Sequence, residues 1–297
     1  DCHNCLREGM KFTRRLCVAA GIATALILAV VSLHVLSSIE KQRRYDAHEL
    51  GEVFSSRLLD RFNETLGALY LLTNSVDSQN GSISRFDELA ANLISDFPLL
   101  RALELAPGGV IRNVHPIRGN EVVIGHDLLT DKTRNREVHL AISRRQMAIA
   151  GPMELRQGGV GIVARYPLHQ ISDDGRSRFW GLSIAVIEFP SLMRASGESD
   201  FERLGYRYQI CWIPPGETVC KLAVGDQALS GDTAVVSKIG VGMAEWRLMV
   251  QPSRGWMTSV EYWLAALIVV FGGLLVGVGV DRLARRRAAG SLASSPG

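Results

Sequence analysis

Two uninterrupted apolar runs lie far apart in the chain: residues 16–39, LCVAAGIATALILAVVSLHVLSSI, and residues 262–280, YWLAALIVVFGGLLVGVGV. Neither holds an Asp, Glu, Lys or Arg. A helix of about 20 residues spans roughly 30 Å, the thickness of a bilayer core, so both runs read as membrane-spanning helices. The first exceeds the roughly 7–15 apolar residues of a signal-peptide core and lacks an A-x-A ending, which argues against cleavage. Beyond it, apolar residues recur at Leu50, Phe54, Leu58, Phe62, Leu66, Leu69 and Val76. That three-to-four spacing predicts an amphipathic helix of about 35 residues, continuing the first anchor as a stalk. Such a stripe must be covered by the chain's own domain, by the same helix of a second copy, or by both.

Polar turns then punctuate shorter elements. A turn at 77–81 ends the stalk, Ser84 caps a helix over 85–97, and Pro98 stops it. Strands follow over 99–106 and 110–116, joined as a hairpin by Pro107, Gly108 and Gly109. A looser stretch with Gly119 and Gly125 leads to a helix from about Thr133 to Met147, capped by Asp131 and broken by Gly151 and Pro152. Strands over 153–155 and 159–167 turn on Gly158 and Gly159, and another over 178–189 follows a turn at 172–175. After a short helix and connector, four further strands at 206–213, 218–224, 233–241 and 244–251 predict a second, smaller sheet near the membrane. The fold class is α+β, helices feeding mostly antiparallel sheets, an order that resembles a PAS-like sensor module.

The expected organisation is a tail (1–15), a first spanning helix (16–39), a stalk (40–82), a distal ligand-binding module (83–190), a membrane-proximal β-rich module (191–258), a second spanning helix (259–281) and a basic tail (282–297). Charge sets the orientation. Arg7, Lys11, Arg14 and Arg15 precede the first anchor, and Arg282, Arg285, Arg286 and Arg287 follow the second, so both termini are expected in the cytoplasm and the middle outside. Lys41, Arg43 and Arg44 oppose this only weakly, because long loops translocate largely regardless of charge. A formal net charge of +3, from 33 basic against 30 acidic residues, is too balanced for a nucleic-acid binder. Cys211 and Cys220 flank Pro215 and Gly216. With those two as a hairpin turn, the cysteines face each other directly and can form a disulfide, which an extracytoplasmic site permits; two buried thiols are the alternative.

No catalytic kit is legible. The chain lacks a phosphate-binding loop, a G-x-S-x-G elbow and an H-E-x-x-H helix, which points away from an enzyme. Glu104 and Asp127 are one of many carboxylate pairs, and His115, His126 and His139 lack ligand spacing, so neither a metal nor a cofactor is expected.

Four segments in order, LELAPGGVI, IGHDLL, GPMELRQGGVGIVARYP and FWG at 179–181, together resemble the CHASE domain. This is an extracytoplasmic sensor set between two transmembrane helices in bacterial diguanylate cyclases, histidine kinases and plant cytokinin receptors. The resemblance is to the bacterial branch and covers residues 54–188. It implies a long N-terminal helix, two PAS-like modules and a small ligand in the distal one. By the same resemblance Asp127 bonds the ligand and the backbone at Ile149 contributes; on the residues themselves Asp127, which follows Gly125 and opens the loop before a helix, is either a ligand contact or a local turn or cap. A Thr that the plant receptors use is replaced here by Gly158 and Gly159, which argues against an adenine-type ligand. On the residues themselves, Arg165 shares a strand face with Val163 and Gly161, and so faces either an anionic ligand group or a structural partner such as Glu104 or Asp127. Arg112 and His115 on the hairpin are further candidates.

The expected function is a transmembrane receptor of the bacterial inner membrane. Its periplasmic domain senses a small molecule, dimerises through stalk and membrane helices, and drives a cytoplasmic output module of cyclase or kinase type. The alternative is a two-anchor protein whose exposed domain binds a protein partner or assembles.

Overall fold

The computed structural model describes residues 2–78, 85–133, 135–171, 175–242 and 244–293. The expected Ser84 cap lies outside them, as do parts of the turns at 77–81 and 172–175. The chain forms two units, residues 46–253 and residues 1–45 with 254–297. The elements in chain order are α1 (Cys2–Ser78), α2 (Phe86–Asp96), β1 (Leu100–Pro107), β2 (Asn113–His115), α3 (Asn135–Arg144), β3 (Ala148–Glu154), β4 (Val160–Ile171), β5 (Ser177–Glu188), α4 (Phe189–Ser196), α5 (Ser199–Arg203), β6 (Tyr206–Ile213), β7 (Lys221–Gly225), β8 (Val235–Val241), β9 (Ala244–Pro252) and α6 (Ser259–Ala293). A 3-10 turn, Glu121–Val123, precedes α3.

In the smaller unit, the two helices long and apolar enough to cross a membrane leave Leu26, Val30, Trp263 and Leu275 open to the surroundings. Lipid, rather than water, suits such a surface. The helices meet through glycine. A Cβ on Gly21 would stand 2.9 Å from the carbonyl oxygen of Gly273 and 3.5 Å from Cα of Gly277, so the backbones touch directly. Farther along the same two segments Arg43 pairs with Glu261 and donates to the Trp256 carbonyl at 2.8 Å, while the Arg44 guanidinium lies 4.4 Å from the Trp256 ring centre. The basic stretch after residue 281, expected as an unfolded tail, continues α6 to Ala293, in keeping with its Ala and Arg content.

In the larger unit two antiparallel sheets form, one ordered β2-β1-β5-β4-β3 and the other β7-β6-β9-β8. The α1 stripe is consumed inside the chain. Phe54, Leu58, Phe62, Leu66, Leu69 and Val76 are all buried, and only Leu50 is half-buried. Thr73 shares a 2.7 Å hydrogen bond with Ser183 of β5, which ties the helix to the first sheet. Toward the second sheet, Phe62 and Phe189 flank the Trp246 ring at 6.5 and 5.9 Å, and Phe54 meets Phe201 edge-on at 5.1 Å. Each such ring or aliphatic group contributes about 1.5–3 kcal/mol by leaving water. On another face of α1, Val53, Tyr70 and Leu71 are exposed.

Several boundaries differ from the sequence-based expectation. The helix expected to Met147 ends at Arg144, and β3 begins at Ala148, so Gly151 and Pro152 sit inside a strand as a bulge. Gly151 tolerates this because its φ is +106° and a Cβ there would strike the Gly161 carbonyl at 2.7 Å. Residues 110–112 are not strand, and only 113–115 pair with β1. The cysteines are also out of the expected register. Cys211 pairs with Leu222, two residues beyond Cys220, because the connection is a loop over 214–220 and not a tight turn. The loop still returns Cys220 to within 5.4 Å of Cys211 between Cα atoms, and the two are joined by a disulfide.

Candidate functional site: a surface pocket backed by a buried acid and base

The register of the first sheet puts Val114, Glu104, Ile184, Arg165 and Ala148 in one row across all five strands. Residues paired this way point to the same face. Glu104 and Arg165 are each 3% exposed, an acid and a base in an otherwise apolar layer of Ala102, Val163, Leu182 and Val186. Burial pushes the Glu104 carboxyl up to about 7, and the positive charge of Arg165 opposes that shift.

The segment after β1 covers this face. Residues 125–128 are hydrogen-bonded onto 109–111: Ile111 N–H donates to the His126 carbonyl at 3.0 Å, Gly125 N–H to Ile111 at 2.8 Å and Leu128 N–H to Gly109 at 2.9 Å. This pairing needs a glycine at 109, whose φ is +88° and whose missing Cβ would fall 2.5 Å from Leu129 Cγ. Gly109→Ala is expected to cost about 1–3 kcal/mol of stability and to loosen the 125–129 loop. Faster amide exchange at Ile111 and Leu128 than in the strands would show it, and unchanged protection there would reject it.

Two spaces result. A narrow cleft of about 30 Å³, room for a water molecule or two, reaches Glu104 and Arg165. An open pocket of about 570 Å³ lies on the surface, lined by Val122, Ile124, Asp127, Thr130 and others. His126 and Arg156 line both spaces and form the wall between them. Arg156 owes its place to the β3–β4 turn, where Leu155 N–H donates to the Gly159 carbonyl and Gly158 N–H to Leu155, with Arg101 bonding the carbonyls of Gln157 and Gly158. Its Nη1 donates to His126 Nδ1 at 3.1 Å. An acceptor at Nδ1 leaves the imidazole proton on Nε2, 3.2 Å from Asp131 Oδ2. The other Asp131 oxygen accepts from Thr133 N–H at 3.0 Å and from Thr133 Oγ1 at 2.6 Å. The wall is thus an Arg–His–Asp chain anchored in the following turn.

The five sequence-derived candidates separate. Asp127 lines the surface pocket; its Oδ1 accepts from Leu129 N–H at 2.9 Å and Thr130 N–H at 3.3 Å, and these bonds hold its carboxyl below the usual range. Arg165 lies in the cleft behind. Ile149 is buried but pairs with Ala164, so its side chain points away from Arg165 and packs by Gly242. Arg112 is exposed, and His115 lies 3.4 Å from Asp87 on the face of Leu103, opposite to Glu104. His126, Asp131 and Arg156 were not singled out from sequence as a group. The period-two alternation of β1 would have placed Glu104 with Ala102 and Ala106, but nothing local links residue 126 to residue 156.

These features lie within a known type of sequence. Residues 84–210 match the CHASE domain family model. The CHASE segment holds the whole first sheet, the pocket and the cleft. The chain resembles in fold an extracellular ligand binding receptor from Desulfohalobium retbaense DSM5692, with a TM-score of 0.51 and 15% identity over 66% of this chain and 38% of that one. The sensory domain of the Campylobacter jejuni chemoreceptor Tlp3 (CcmL) aligns at 10% identity over 73% of this chain and 96% of its own, with a TM-score of 0.48. Among curated proteins, a UPF0758 protein of Xanthomonas campestris pv. campestris (strain 8004) is 30% identical over 139 residues, 46% of this chain. The chain spans 56% of that relative's length. The architecture is α+β, with a long N-terminal helix and two antiparallel sheets.

Proposed function

We propose that this protein is the sensory half of a membrane receptor, in which the CHASE domain faces the extracytoplasmic side and takes a small molecule in the pocket at Asp127. The observation that carries this is the built polar wall of His126, Arg156 and Asp131, standing between a surface pocket and a buried acid–base pair. A domain selected only to fold gains little from burying Glu104 and Arg165, since apolar replacements of similar volume are often as stable or more so. The two apolar helices support a domain held between two anchors, and the arginine-rich ends support a cytoplasmic position for both termini. An output module of cyclase or kinase type would read the signal, with the ligand favouring one of two states of the domain by its differential affinity. Of the sequence-derived residues the reading keeps Asp127 and Arg165 at the ligand, and leaves Arg112, His115 and Ile149 outside it.

The test is a thermal-shift screen of the whole chain in detergent against metabolites, followed by Asp127→Ala on each hit. With a charged hydrogen bond at stake, the substitution is expected to weaken binding by about 1.5–3 kcal/mol, roughly 10- to 100-fold. A hit whose stabilisation survives the change removes Asp127 from the site, and a screen without hits removes the sensor reading.

A further inference from the structure

We propose that the ligand is a small carboxylate whose charged end takes the place of Glu104 beside Arg165, so that binding above neutral pH takes up one proton. This rests on the sensor reading and extends it to the class of ligand and to its dependence on pH.

Arg165 is the most buried base on the pocket side of the sheet, and Glu104 in its own row is its internal counter-charge. A carboxylate presents the oxygens that a guanidinium binds most strongly, in place of those Glu104 supplies. The path is short, because the cleft containing both groups and the surface pocket share His126 and Arg156. At about 30 Å³ the cleft holds water rather than a carboxylate, so entry requires the wall to move. Arg156 can do so. Its side chain is 43% exposed and stands at a glycine turn, and its swing outward leaves its guanidinium in the surface pocket.

Charge balance then sets the protonation of Glu104. Two carboxylates beside one guanidinium in an apolar layer leave a net buried negative charge, which is unfavourable unless one of them is neutral. Glu104 is the group disposed to become neutral, since burial already favours its protonated form near pH 7. Where Glu104 is ionised before binding, the proton comes from solvent and the charge around Arg165 is the same before and after. The other groups facing the cleft do not replace this role: β5 contributes Ile184 and Val186, the covering segment contributes Val123 and His126, and the β3–β4 turn contributes Arg156 and Gln157. His126 is engaged by Arg156 and Asp131.

The experiment is titration calorimetry on the full chain in detergent with acetate, propionate, lactate and succinate, each beside its uncharged amide. The wild-type protein, Glu104→Gln and His126→Gln are compared between about pH 6 and about pH 8. For the wild type, carboxylates are expected to bind and amides not, with affinity falling about tenfold per pH unit above about 7, the slope of one linked proton. Glu104→Gln should remove that slope and hold at high pH the affinity the wild type shows at low pH; His126→Gln should keep the slope. A slope that survives Glu104→Gln overturns the inference, as does a slope lost with His126→Gln or an amide that binds as well as its acid. If no carboxylate binds while a neutral or cationic metabolite does so through Asp127, this inference fails and the sensor reading stands. If nothing binds, both fail.

Discussion

Trp246→Ala is expected to lower the unfolding free energy by about 3–5 kcal/mol, the usual cost of an aromatic-to-alanine change in a packed core. Trp246 on β9 is fully buried, and it is the side chain through which the second sheet meets two helices at once. Phe62 comes from α1 and Phe189 from α4, so truncation opens a cavity that no single neighbour can fill by a rotamer change. Its register partner Trp212 on β6 is also buried, which limits collapse from the sheet side. Urea unfolding of the whole chain, followed by circular dichroism, measures the loss. A change below about 1 kcal/mol would mean that the cluster repacks and that α1 is held elsewhere.

The second large effect is one of pH. Glu104 titrates at about 7 in the fold against an ordinary 4.5, so the native state holds the extra proton between those values. With the native state binding more protons than the unfolded chain, stability is greatest below about pH 4.5 and declines as pH rises through about 7, by roughly 3 kcal/mol for this group alone. Glu104→Gln, which resembles the protonated acid, should flatten the decline. Arg165→Met should behave oppositely on the two sides of the transition. Where Glu104 is neutral the arginine is the uncompensated buried charge and its removal costs little; where Glu104 is ionised its removal leaves a bare buried carboxylate, and the variant is the less stable. Melting temperatures of the three proteins from about pH 5 to about pH 9 decide it. Parallel curves for wild type and Glu104→Gln would show that the decline has another source.

The stalk shows how far pattern carries and where it stops. The spacing from Leu50 to Val76 predicts a helix with one apolar face, and that face is the buried one. Spacing alone does not say which surface buries it, because a neighbouring helix and a sheet of the same chain remove the same apolar area from water. Trp246, Phe189 and Phe201 settle it, from positions more than a hundred residues downstream. The disulfide is a similar case. Composition and compartment favour the pair, yet the assumed two-residue turn at Pro215 and Gly216 is replaced by a longer loop, and the cysteines come together without being register partners.

By itself the sequence determined the two apolar helices, the amphipathic stripe, the α+β class and most of the strands, because each follows from residues within a turn or two of one another. Asp127, named through resemblance, lies at the surface pocket. Tertiary structure alone decided the site behind it. Glu104 meets Arg165 through the order of β1, β5 and β4, and His126 meets Arg156 because the segment over 110–133 folds back across that sheet. These contacts depend on register and on which strands become neighbours. Their energetics depend on burial, since a carboxyl and a guanidinium acquire their altered charge behaviour only once the fold has taken water away.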